Sequence, residues 1–105
     1  MQVLFTFRQF DGSDDLKALI QSRIEKRLER LTSGDGAEAR VLISTEKAWT
    51  VLELQVSVWG EVVKAAEKTT DELIPTLDLV IDKVERQLMR RKEMVRDRRT
   101  RRANG

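Results

Sequence analysis

Apolar positions change their spacing several times along the chain, and each change marks an element. From Gln2 to Arg8 they alternate. Val3, Phe5 and Phe7 fall on one side, and Gln2, Leu4, Thr6 and Arg8 on the other, the period-two pattern of a half-buried strand. Asp11-Gly12-Ser13-Asp14 reads as a turn that ends in N-cap residue types. From Asp14 to Leu31 the spacing lengthens to four and three. Leu16, Ile20, Ile24, Leu28 and Leu31 then form the apolar stripe of a helix. Thr32 to Ala37, with Ser33-Gly34-Asp35-Gly36 inside it, stops that helix.

Alternation returns in Glu38 to Ser44, where Ala39, Val41 and Ile43 share a face. After a short connection, Thr45 to Ala48, a long strand is predicted over Trp49 to Trp59, with Leu52, Leu54, Val56 and Val58 inward. Gly60-Glu61 turns the chain into a shorter strand, Val62 to Lys68. Its Lys64 and Lys68 suit an edge, where charge discourages further pairing. Thr69, Thr70 or Asp71 then caps a last helix running to about Arg102, with Pro75 near its first turn. In that helix Leu73, Leu77, Val80, Ile81, Val84 and Leu88 line one face. Beyond Leu88 the apolar spacing thins and arginine takes over. The first half therefore buries a stripe, and the second half projects.

The predicted order is β-α-β-β-β-α. It implies an α+β sandwich: a four-stranded sheet with two helices packed on one face. The helix between the first two strands allows them to lie parallel, and the short turns make the later three antiparallel. The opposite sheet face carries polar residues together with Trp49 and Trp59. A chain of 105 residues suits one domain, expected over residues 1–98, with a basic disordered tail over 99–105.

Composition narrows the chemistry. The chain has no cysteine, histidine or tyrosine. It therefore has no disulfide framework and no thiolate or imidazole metal site. Its nucleophiles and bases are limited to serine, threonine, lysine and carboxylates. No phosphate-cradling glycine motif and no serine-hydrolase elbow occurs. Asp78 and Asp82 lie four apart on one helix face, with Lys83 and Arg86 near enough to pair with them, so they read as structural rather than as an acid–base dyad. The expectation is a protein without catalysis, cofactor or small-molecule substrate. No apolar run is long enough to span a membrane, and a cytoplasmic location follows as the default.

The net charge of +2 hides an asymmetry. Residues 83–102 hold ten basic and three acidic residues, a net +7, while residues 1–82 hold ten basic and fifteen acidic, a net −5. A mildly acidic body with a strongly basic end is the footprint of a polyanion binder, although a charge run alone also suits a solvated helix. Two stripes sharpen this. Arg23, Lys26, Arg27 and Arg30 run along one flank of the first helix, some of them within helical reach of Glu25 and Glu29. Lys83, Arg86 and Arg90 recur at i, i+3 and i+7 on the last. If the helices lie side by side, the stripes meet as one surface suited to an RNA backbone read by shape and phosphate. Two other classes fit the same features. One is a general double-stranded RNA-binding module. The other is a protein-interaction adaptor using Trp49, Trp59 and the open sheet face.

The run Asp78-Leu79-Val80-Ile81-Asp82-Lys83-Val84-Glu85-Arg86-Gln87-Leu88, followed by Arg91-Lys92-Glu93, resembles the last-helix signature of the ribosome hibernation-promoting factors, also called ribosome-associated inhibitors or sigma-54 modulation proteins. Glu46-Lys47 before the long strand, Gly60 after it and the start Met1-Gln2-Val3 fall where that family has them. The resemblance implies a translation silencer seated on the small ribosomal subunit, in the channel used by messenger RNA and tRNA. Basic helix residues would contact its ribosomal RNA: Lys83, Arg86, Arg90, Arg91 and Lys92 on the last helix, and Arg23, Lys26, Arg27 and Arg30 on the first. The arginine-rich end from Arg96 to Arg102 exceeds a minimal short form, and its solvated arginines are expected to follow the same RNA. It also implies the short form of the family. Short members either promote ribosome dimers with a separate small modulation factor or hold single ribosomes inactive. The sequence departs from the family pattern at Ala48-Trp49 after Glu46-Lys47, at Ile74-Pro75, and at Arg8-Gln9-Phe10.

Overall fold

A computed structural model describes residues 1–32 and 35–104, with side chains described as far as Arg96. Six elements follow in order: β1 (Gln2–Arg8), α1 (Asp14–Thr32), β2 (Glu38–Glu46), β3 (Trp49–Val58), β4 (Glu61–Thr69) and α2 (Leu73–Asn104). The sheet order is β1-β2-β3-β4. β1 pairs parallel with β2, and the other two pairings are antiparallel. The α+β sandwich and its element order are those expected. The tail expected to be disordered, 99–105, lies outside the residues whose side chains are described.

Alternation puts every second strand residue on the helix side. Ala39, Val41 and Ile43 of β2 and Leu52, Leu54, Val56 and Val58 of β3 are buried there, against Ile20, Ile24 and Leu28 of α1 and Leu77, Val80, Ile81, Val84 and Leu88 of α2. Each such Val, Leu or Ile side chain contributes about 1.5–3 kcal/mol by leaving water. α2 lies over β3 and β4 and beside α1. α1 sits toward β1, where Lys17 Nζ lies 5.6 Å from the Phe7 ring.

Local chemistry sets the boundaries. Ser13 caps α1: its Oγ accepts from the Leu16 N–H at 3.1 Å. Gly12 is needed because a Cβ there would sit 2.3 Å from a Phe7 ring carbon. At the other end Thr32 is buried, and its hydroxyl donates to the Leu28 carbonyl at 3.2 Å. α2 begins at Leu73, one to three residues later than a cap at Thr69, Thr70 or Asp71 implies. The Thr69 hydroxyl instead accepts from the Asp71 N–H at 3.0 Å, closing a turn ahead of the helix.

β3 ends at Val58 rather than Trp59. Trp59 and Gly60 form the two-residue hairpin loop, both with positive φ (57° and 72°), as a type I′ turn requires. Among the described residues, no helix is long and apolar enough to cross a membrane, and no group of three or more acidic residues lies close enough to hold a metal ion.

Candidate nucleic-acid interface

The basic stripe of α1 does face α2, but it meets carboxylates there. Arg23 Nη1 donates to both carboxylate oxygens of Asp78, at 2.9 and 3.0 Å. Arg27 donates through Nε to Glu85 at 3.0 Å and through Nη2 to Asp82. The acidic stripe of α2 is therefore neutralised from the neighbouring helix, not by Lys83 and Arg86 of its own. Glu25 and Glu29 are not the partners of the α1 arginines either. Glu25 accepts from Gln21 Nε2, and Glu29 pairs with the Met1 ammonium. Glu85 first, then Asp82, hold the Arg27 guanidinium above its ordinary pKa by accepting its hydrogen bonds. The two stripes do not fuse into one cationic surface. The seam between the helices is a ladder of opposite charges.

Two more of the expected cations face the sheet edge. Lys83 pairs with Glu67, and Arg91 Nη1 lies 3.1 Å from Glu61 Oε2. Both carboxylates belong to β4, on the side covered by α2. Gln87, between them on the helix, donates to the Lys64 carbonyl at 3.0 Å. These contacts fix the rotation of α2 about its axis.

That rotation determines what is left. Among the described residues, Lys26, Arg30, Arg86, Arg90 and Lys92 make no ion pair. Arg86 and Arg90 lie one turn apart on the outward side of α2 and are both exposed, while the exposed Lys26 and Arg30 lie on α1. Lys92 is half-buried, and Arg96 is exposed on the projecting part of α2. Among the cations singled out in the sequence, Arg23, Arg27, Lys83 and Arg91 thus bind carboxylates of the fold. The outward row on α2, and separately Lys26 and Arg30 on α1, are left without a carboxylate partner among the described residues and are chemically able to meet phosphate.

The tryptophans divide as well. Trp59 packs against the core cluster, and its Nε1 donates to Asp35 at 2.7 Å, so it holds the α1–β2 loop to the β3–β4 hairpin. It does not lie on the open sheet face. Trp49 does, 41% exposed, with Lys68 Nζ 4.6 Å from its ring centroid. The alternation that placed Trp59 outward fails because the residue sits in the turn, where strand periodicity no longer holds.

A small α+β sandwich with unneutralised arginines on its helical face is a recognisable class of domain. The chain belongs to the family described as Sigma 54 modulation protein / S30EA ribosomal protein, which matches residues 3–96. It is 34% identical over 97 residues to a ribosome hibernation promoting factor of Azotobacter vinelandii, covering 89% of this chain and 84% of that one. The fold resembles the N-terminal domain of Protein Y from Thermus thermophilus, with a TM-score of 0.74 and 23% identity over 86% of this chain and 98% of the other. It also resembles a ribosomal subunit interface protein from Coxiella burnetii, with a TM-score of 0.74 and 21% identity over 89% and 99% of the two chains.

Proposed function

We propose that this chain is a cytoplasmic ribosome hibernation factor. It binds the small ribosomal subunit in the channel shared by messenger RNA and tRNA, and it silences translation by occupancy rather than by catalysis. The observation that carries this reading is the unpaired Arg86–Arg90 row on the outward side of α2, in a chain of this family. Phosphates need cations at roughly nucleotide spacing, and arginine grips a phosphate with two hydrogen bonds. The paired cations serve a different end. By fixing the seam and the sheet edge they hold the row rigid, which lowers the entropy lost on docking.

Binding to isolated small subunits, followed by titration with deacylated tRNA, tests this reading. Displacement by tRNA at saturating concentrations is expected. Retention on the subunit despite saturating tRNA contradicts the channel assignment. Equal affinity for any RNA duplex of similar length supports the general RNA-binding alternative instead.

A further inference from the structure

A groove of about 240 Å³ lies between the end of α1 and the projecting part of α2, lined by Leu31, Met89, Lys92, Glu93 and Arg96. It stands where the ion-pair ladder ends. On α2 the carboxylates Asp78, Asp82 and Glu85 give way, one turn further on, to Met89 and Lys92. The seam therefore changes there from saturated and charged to apolar with a mostly cationic rim.

We infer that this groove takes a single unstacked nucleotide of a bound RNA; the inference rests on the RNA-binding reading above. Three features select that occupant. The floor is apolar: Leu31 is half-buried against the core and Met89 is 49% exposed, a large apolar side chain that packing within the chain does not explain. A flat base fits such a floor, and a polarizable thioether favours contact with an aromatic ring. Lys92 and Arg96 line the same groove and suit the phosphate attached to that base. The volume falls below the roughly 300–1,000 Å³ of pockets that take drug-sized ligands, so one ring system fills it. Glu93 then has a use beside two cations. Its carboxylate accepts hydrogen bonds, as acidic side chains do from the amino group of cytosine, which favours cytosine over uracil. Duplex RNA keeps its bases stacked and cannot fill the groove.

The test uses the full chain and two probes, an oligocytidine RNA and a blunt RNA duplex of the same length. The chain has three methionines, so methyl-labelled methionine gives three resolvable signals. Saturating oligocytidine is expected to shift the Met89 methyl signal upfield by ring current, while the duplex binds without that shift. Met89→Ala should weaken oligocytidine binding about two- to tenfold, the range of a thioether–ring contact, and leave duplex binding unchanged. Arg86→Glu with Arg90→Glu should weaken both. If that double variant weakens binding while the Met89 signal of the unmutated chain stays fixed at oligocytidine saturation, the groove assignment is overturned and the RNA reading stands. If the unmutated chain binds neither probe nor small subunits, both are overturned.

Discussion

At the scale of single residues, the decisive distinction is between cations that hold the fold together and cations that remain available. Charge and spacing in the sequence identify them all but do not divide them. A helical wheel shows which residues share a face, not which carboxylate on another element lies opposite. Arg23 and Arg27 aim at Asp78, Asp82 and Glu85 across 55 to 58 residues of chain, a separation that local pairing rules cannot reach. The two groups should respond differently to substitution. Arg27→Met removes two partly exposed ion pairs and is expected to lower stability by about 1 kcal/mol at low salt, since such pairs contribute up to about 1 kcal/mol each. That destabilisation should shrink in 1 M salt, and small-subunit affinity should change little. Chemical denaturation at the two salt concentrations measures it. The raised pKa of Arg27 means its contribution is present at every pH below the ordinary arginine value and is lost only as pH rises through the raised one. Titration of this arginine therefore leaves the effect unchanged between about pH 6 and 9.

At the scale of elements, most of the architecture was legible because its signals are periodic. β1 has the bounds its alternation predicts, and α1 starts at the predicted residue. Misreadings gather where periodicity ends: the Trp59–Gly60 turn, the start of α2, and the last residues of β2, which continue the strand to Glu46. α2 shows the other limit. Its buried stripe stops at Leu88, yet the helix continues to Asn104, roughly 24 Å further at about 1.5 Å per residue. Helix continuation needs propensity and not burial, and arginine is a good helix former. Core packing and the arginine-rich end are thus separable. Deletion of residues 97–105, which carry Arg98, Arg99, Arg101 and Arg102, should leave the melting temperature within a few degrees of the parent. It should flatten the slope of log affinity against log salt by about 0.7–0.9 for each phosphate that the shortened chain no longer neutralises. An unchanged slope would mean that the end of α2 does not touch RNA.

At the scale of the whole molecule, the projecting helix sets the shape. The radius of gyration is 15.3 Å and the long axis 55 Å, against roughly 13 Å expected for the radius of gyration of a compact chain of this length. A compact body that fixes one long basic helix suits a binding partner with a deep, anionic channel. The resemblance in the last helix implies such a partner, and the ion pairs leave Arg86 and Arg90 on α2, with Lys26 and Arg30 on α1, as the cations proposed to meet it. The most direct test is sedimentation of small ribosomal subunits through sucrose gradients with three proteins: the unmutated chain, Arg86→Glu with Arg90→Glu, and Arg23→Met with Arg27→Met. The unmutated chain and the Arg23→Met, Arg27→Met variant should migrate with the subunit. The Arg86→Glu, Arg90→Glu variant should stay at the top of the gradient while remaining folded. Co-migration of that folded variant at the parental level would contradict the assignment of the outward row as the ribosome-binding surface.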